Sequence, residues 1–184
     1  GKNILARAEE ETVSRVTYTF DEPTGTYSLT VVTASNYPQV LLRFMGDTLT
    51  PMIGKTYTLS CTGLTETGTS TSRIYVYSYD ADSEQSSLIS GTGLKNNGKA
   101  TFTVPNDCVR LRVVLRVSNS GHAVGANLTV TGLMLEAGDE KTTFEPYSNI
   151  CPCEEITSAT VNLNGTTHTI DLTGTAQGGI YAGQ

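Results

Sequence analysis

Between residues 109 and 117 every second residue is aliphatic (Val109, Leu111, Val113, Leu115, Val117), and three of the four between them are arginine. Side chains of an extended chain point to opposite faces in turn, so this alternation puts one row in a core and the other in water. A helical face would need apolar residues at three- and four-residue spacing. The segment therefore predicts a half-buried β-strand, with Arg110, Arg112 and Arg116 on its outer side.

The same period recurs along the chain. Val16, Tyr18 and Phe20 alternate with polar residues, Asp21-Glu22-Pro23-Thr24-Gly25 supplies a turn, and Tyr27, Leu29 and Val31 resume the pattern. This predicts a hairpin. Gln39–Met45 predicts a third strand, apolar enough to be covered on both faces. Gly54-Lys55 opens a fourth, with Tyr57, Leu59 and Cys61 on one side. Residues 73–80, 99–104, 109–117 and 127–136 complete eight strands, Phe102 and Val104 pointing inward before the stop at Pro105-Asn106-Asp107. The one helical turn expected lies near residues 6–11, with Glu9, Glu10 and Glu11 as its solvated face.

Eight short strands separated by turn signals predict an all-β chain: a two-sheet antiparallel β-sandwich of jelly-roll type. Composition agrees, since 18 glycines serve tight turns and only 16% of residues are charged. Residues 1–148 are expected to form the sandwich. Residues 149–184 are expected to be a linker around Pro152 and a β-hairpin turning at Asn164-Gly165, the start of a following module.

Several functions are disfavoured. A formal net charge of −6 argues against nucleic acid, whose binding rests on clustered Lys and Arg. No apolar run approaches the ~20 residues of a membrane-spanning helix. No nucleophile elbow, zinc-protease motif or phosphate loop is present, so no enzyme is expected. The acid pairs Asp139/Glu140 and Glu154/Glu155 read as solvated charges. Cys61, Cys108, Cys151 and Cys153 read as buried or idle thiols, and a metal site combining Cys151, Cys153 and His168 is the less favoured reading. No cofactor is expected. A structural calcium is weighed as well, because Asp80, Asp82 and Glu84 place acids at alternate positions in a loop.

Residues 134–147, Met-Leu-Glu-Ala-Gly-Asp-Glu-Lys-Thr-Thr-Phe-Glu-Pro-Tyr, resemble the closing strand of the jelly-roll, carbohydrate-binding-like modules of phage and prophage tail proteins. Those modules end in hydrophobic-Leu-Glu-x-Gly, then a Thr and aromatic-Glu-Pro-Tyr, which Leu135, Glu136, Gly138, Thr143, Phe144, Glu145, Pro146 and Tyr147 fill. The Gly54-Lys55-Thr56-Tyr57-Thr58-Leu59 strand and Phe102-Thr103-Val104-Pro105 are also similar. In this motif Pro146 is expected to end strand pairing, with Phe144 and Tyr147 closing the end of the sandwich. The resemblance implies a non-catalytic module on a virion or at the outside of a host cell. Its implied partners are a bacterial surface polysaccharide, other tail-protein modules and further copies of itself.

In the fifth strand Tyr75, Tyr77 and Tyr79 alternate with Ile74 and Val76. If this strand and the arginine strand share a sheet, tyrosine rings lie beside guanidinium groups on one outer face. Rings stack on sugar faces and Arg forks bind carboxylate or hydroxyl oxygens. Tyr75, Tyr77, Tyr79, Arg110, Arg112 and Arg116 are accordingly the candidate glycan-binding residues. The alternative reading is a spacer or assembly module, in which these residues make ordinary cross-strand pairs or contact another subunit.

Overall fold

A computed structural model of the chain describes residues 3–11, 15–34, 36–67, 73–81, 87–88, 94, 96–117, 124–146, 158–163 and 166–171. The chain divides into two compact units, Gly1–Asn149 and Ile150–Gln184. In the second, β13 (Ser158–Leu163) and β14 (Thr166–Asp171) pair antiparallel with Leu163 opposite Thr166, the register of a two-residue hairpin loop.

The first unit is a jelly-roll β-sandwich. One layer is a five-stranded antiparallel sheet in the order β1 (Glu9–Glu11), β4 (Gln39–Met45), β10 (Cys108–Arg116), β7 (Arg73–Asp80), β8 (Ser87–Leu88). The other layer has two parts. β2 (Val16–Asp21), β3 (Thr26–Val31), β11 (Asn127–Thr131) and β6 (Gly63–Thr67) form one sheet; β12 (Met134–Ala137), β5 (Thr56–Ser60) and β9 (Lys99–Thr103) form the other. The remaining regular structure of the unit, among the described residues, is three single 3₁₀ turns at Ile4–Arg7, Gly46–Thr48 and Thr50–Met52.

Inward-facing residues of both layers meet in one core. Val40, Leu42, Phe44, Ile74, Val76, Leu111, Val113 and Leu115 come from the five-stranded sheet, facing Leu29, Val31, Leu59, Phe102, Leu128, Val130 and Leu135. Burying a side chain of this size contributes roughly 1.5–3 kcal/mol, and this row and its opposite number are the main reason the layers stay together.

The strand expected over residues 127–136 is in fact two strands. It breaks at Gly132-Leu133, where Gly132 takes φ +60° and a Cβ would lie 2.4 Å from Thr62 Oγ1. The stretch paired with it breaks opposite, between β5 and β6, and Thr62 N–H donates to the Thr131 carbonyl at 2.9 Å. Only glycine fits both that backbone and that contact. The paired bend carries two neighbouring strands from one part of the layer to the other.

Other expectations need correction. The turn near residues 6–11 is a 3₁₀ turn displaced to Ile4–Arg7, and Glu9–Glu11 is an edge strand. The reason lies in alternation again. Glu9 and Glu11 face outward onto arginine, while Glu10 points the other way and accepts from the Tyr18 hydroxyl. Val109 is not in the core stripe: it is 46% exposed, because a bulge between Cys108 and Arg110 turns two successive residues outward. Buried Cys108 takes the inward place. β4 is covered on both faces only in part, Leu41 being buried and Met45 exposed on its outer side. Among the described residues the first unit has twelve strands where eight are expected, the additions being the short edges β1 and β8, β6, and the split of β11 from β12. β12 ends at Ala137, so Pro146 lies well beyond it and terminates no strand. Phe144 is half-buried with its ring edge over Gly25, where a Cβ would stand 2.5 Å away, and Tyr147 lies outside the described residues.

Candidate functional site

The outer face of the five-stranded sheet gathers the candidate residues. β7 and β10 are neighbours, and their register sets Tyr79 opposite Arg110, Tyr77 opposite Arg112, Tyr75 opposite Val114 and Arg73 opposite Arg116. On the other side of β10, Met45, Arg43, Leu41 and Gln39 stand opposite Arg110, Arg112, Val114 and Arg116. A row of rings thus runs beside a row of guanidinium groups. Sequence alternation predicts both rows; their adjacency follows from a crossover that no periodicity reveals.

The rows interlock. Arg110 lies over the Tyr79 ring with its guanidinium carbon 4.0 Å from the centroid, and Arg112 sits 5.0 Å from the same ring. Arg112 Nη1 donates to the Tyr79 hydroxyl at 2.9 Å. Tyr75 and Tyr77 meet edge to face, centroids 5.7 Å apart. At the far end Arg116 lies 5.3 Å over Tyr75 and 4.8 Å over Tyr37, and its Nε donates to Gln39 Oε1 at 2.8 Å. Each exposed cation–π contact contributes about 0.5–1 kcal/mol, so the rings are held in fixed poses. Between the two ends Leu41 and Val114 are buried, an apolar floor.

Two carboxylates enter from the edge strand. Glu11 bridges Arg43 at 2.6 Å and Arg112 at 2.7 Å, and Glu9 pairs with Arg43. The hydrogen bond that Arg43 donates to Glu9, reinforced by the charge of Glu11, raises the Arg43 pKa above its already high ordinary value. Reasoning from sequence missed Arg43, Glu9 and Glu11. The period-two placing of Arg43 among Val40, Leu42 and Phe44 is the signal that would have found the first of them.

The Nε atoms of Arg43, Arg110 and Arg112 are buried with no hydrogen-bond partner. Among the described residues Arg110 has in addition no carboxylate on its terminal nitrogens: its contact is the Tyr79 ring. Of these three guanidinium groups Arg110 is therefore the least satisfied.

Of the calcium residues, Asp82 and Glu84 lie outside the described residues, as do Cys151, Cys153 and the side chain of His168. Among the described residues no three acid, histidine or cysteine side chains converge as a metal site. Cys61 and Cys108 are buried thiols, and burial pushes both pKa values up. A separate groove of about 540 Å³ lies on the opposite layer, lined by Arg7, Lys55, Tyr57, Glu136 and Thr142 among others. Its buried Glu136 is satisfied internally, accepting from Thr142 N–H at 2.9 Å and Thr142 Oγ at 2.7 Å.

No protein-family model matches the chain, and no curated protein does. Three solved structures are similar in part. The enzymatically active domain of bacteriophage CBA120 tailspike protein 4 is 16% identical with a TM-score of 0.40, over 74% of this chain and 20% of that one. The N-terminal cellulose-binding domain of Cellulomonas fimi β-1,4-glucanase C is 21% identical with a TM-score of 0.43, over 66% of this chain and 84% of that one. The CBM22-1–GH10 modules of Clostridium thermocellum xylanase 10B are 12% identical with a TM-score of 0.44, over 77% and 28%. The chain spans a fifth of the tailspike domain and about a quarter of the xylanase modules.

Proposed function

We propose that the protein is a non-catalytic carbohydrate-binding module of a phage or prophage tail-associated protein, recognising a bacterial surface glycan through the outer face of its five-stranded sheet. The observation that carries this reading is the register of β7 against β10, which sets three tyrosines beside three arginines on one surface. Rings that stack on sugar C–H faces and forks that bind sugar oxygens are the two chemistries such recognition uses. The closing motif at residues 134–147 supports the tail-protein setting, at the virion or outside the host cell. Binding by one copy is expected to be weak and to gain from several copies in a fibre or baseplate.

A glycan array of bacterial wall and capsule polysaccharides, probed with the chain displayed multivalently, tests this. Binding should occur and should be lost in Tyr77→Ala with the fold intact. A silent array contradicts it. So does a stable oligomer, seen by light scattering, that loses its association when the same tyrosine is replaced, since that is the behaviour of an assembly module.

A further inference from the structure

The glycan reading leaves the ligand's chemistry open, and the charge distribution on this face narrows it. The chain carries a formal charge of −6, yet this surface brings together Arg43, Arg110, Arg112 and Arg116 against the carboxylates Glu9 and Glu11. Those carboxylates come from the β1 edge and serve Arg43 and Arg112. Arg110, opposite Met45 on β4 and Tyr79 on β7, pairs with neither carboxylate among the described residues. One flat side of its guanidinium is covered by the Tyr79 ring and its Nε is buried, which leaves the two terminal nitrogens for a ligand. What such a group offers is its in-plane N–H edge. It has donors only, in a planar fork, so it fits a planar acceptor that offers two oxygens at once. A carboxylate is that acceptor. A neutral sugar's hydroxyls meet the fork one at a time and bring protons that nothing on the guanidinium accepts.

The second constraint is length. Arg110 and Arg116 are six residues apart on one strand, roughly 20 Å at the rise of an antiparallel strand, with Tyr77 and Tyr75 between them on the neighbouring strand. Both ends of that row carry a guanidinium held over a tyrosine ring. A monosaccharide reaches one end only. An extended chain reaches both.

We infer that this face takes a polyanionic glycan, a polymer with carboxylates on successive repeats, laid along β10 with Arg110 as its carboxylate-binding residue. The inference rests on the glycan reading above. It differs from that reading in what it excludes: a neutral polysaccharide, and a ligand lying across the strands.

Calorimetric titration of the full chain against polygalacturonate, alginate and hyaluronate, with methyl-esterified polygalacturonate and dextran as uncharged comparisons, separates the two. At least one acidic polymer should bind, more weakly as salt rises. Polygalacturonate, if that is the polymer bound, should lose at least about tenfold on esterification, the scale of a charge-assisted hydrogen bond. Arg110→Gln should lose about as much with an unchanged melting temperature, and Arg110→Lys should recover part of it, keeping the charge without the fork. Equal binding of an uncharged polymer, or full binding by Arg110→Gln, overturns the inference and leaves the glycan reading standing. Equally tight binding of single-stranded DNA overturns it in favour of a general polyanion surface. Silence toward every saccharide, charged and neutral, overturns both.

Discussion

Arg112 on β10 reaches across β4 to Glu11 on β1, closing an ion pair at 2.7 Å between strands that are not neighbours. Glu11 holds Arg43 of the intervening strand at the same time. A three-residue edge strand is thereby clamped to the middle of the sheet, and the guanidinium row is held flat on that side. The pairs are part-buried, so they sit between the near-zero worth of exposed ion pairs and the large cost of opening buried ones.

Glu11→Gln should therefore lower unfolding free energy by about 1–3 kcal/mol, since two guanidinium groups lose their shared partner. Glu9→Gln, at the exposed end of the same strand, should cost under about 1 kcal/mol. Urea denaturation of both variants checks the ordering, and equal effects would contradict the bridging role of Glu11.

Gly132→Ala should destabilise by about 2–4 kcal/mol, combining a left-handed backbone with a steric clash against Thr62. Adding Thr62→Ala should recover part of the loss, because it removes the atoms nearest the new methyl and leaves the backbone cost. A double-mutant cycle by thermal or chemical unfolding reads the coupling directly.

Tyr79→Phe keeps the ring beneath Arg110 and loses only the hydroxyl that accepts from Arg112. Glycan affinity should change by less than about twofold. Tyr79→Leu removes the ring and should weaken binding about two- to fivefold, the worth of an exposed cation–π contact. Titration against whichever glycan the wild type binds separates the two effects.

The protein should lose stability at alkaline pH. Burial raises the Cys61, Cys108 and Tyr57 pKa values, so these groups stay protonated in the folded chain where the unfolded chain ionises them. The unfolded state then binds fewer protons, and stability falls as pH rises. Their contribution is complete below the ordinary thiol value of 9.0 and declines above it. Melting temperatures from pH 7 to 11 should show this decline, and it should be shallower in Cys61→Ala than in wild type. A flat profile would contradict it.

Much of this architecture is legible in the sequence because one rule, side chains alternating between faces, governs most of it. The Tyr75–Tyr79 row, the Leu111–Val117 stripe and the Gln39–Met45 strand all follow from counting by two. What escapes has local causes. Glu9–Glu11 contains no apolar residue to mark it as a strand, and its pairing with β4, distant in sequence, makes it one. Val109 continues the alternation in sequence but not in space, since the bulge at Cys108 resets the phase. Gly132 is the visible trace of the bend between β11 and β12, a glycine inside a strand pattern. In the candidate site the two rows are readable separately, whereas the neutralising carboxylates and the exceptional position of Arg110 depend on strand order.

A nuclear magnetic resonance titration of isotope-labelled protein with a glycan that binds it locates the binding face directly. Backbone signals of Tyr75, Tyr77 and Tyr79 and guanidinium signals of Arg110 and Arg112 should move together, while backbone signals of Lys55, Tyr57 and Thr142 on the opposite layer stay still. Shifts confined to that opposite groove, with the tyrosine and arginine rows unmoved, would contradict binding at the outer face of the five-stranded sheet.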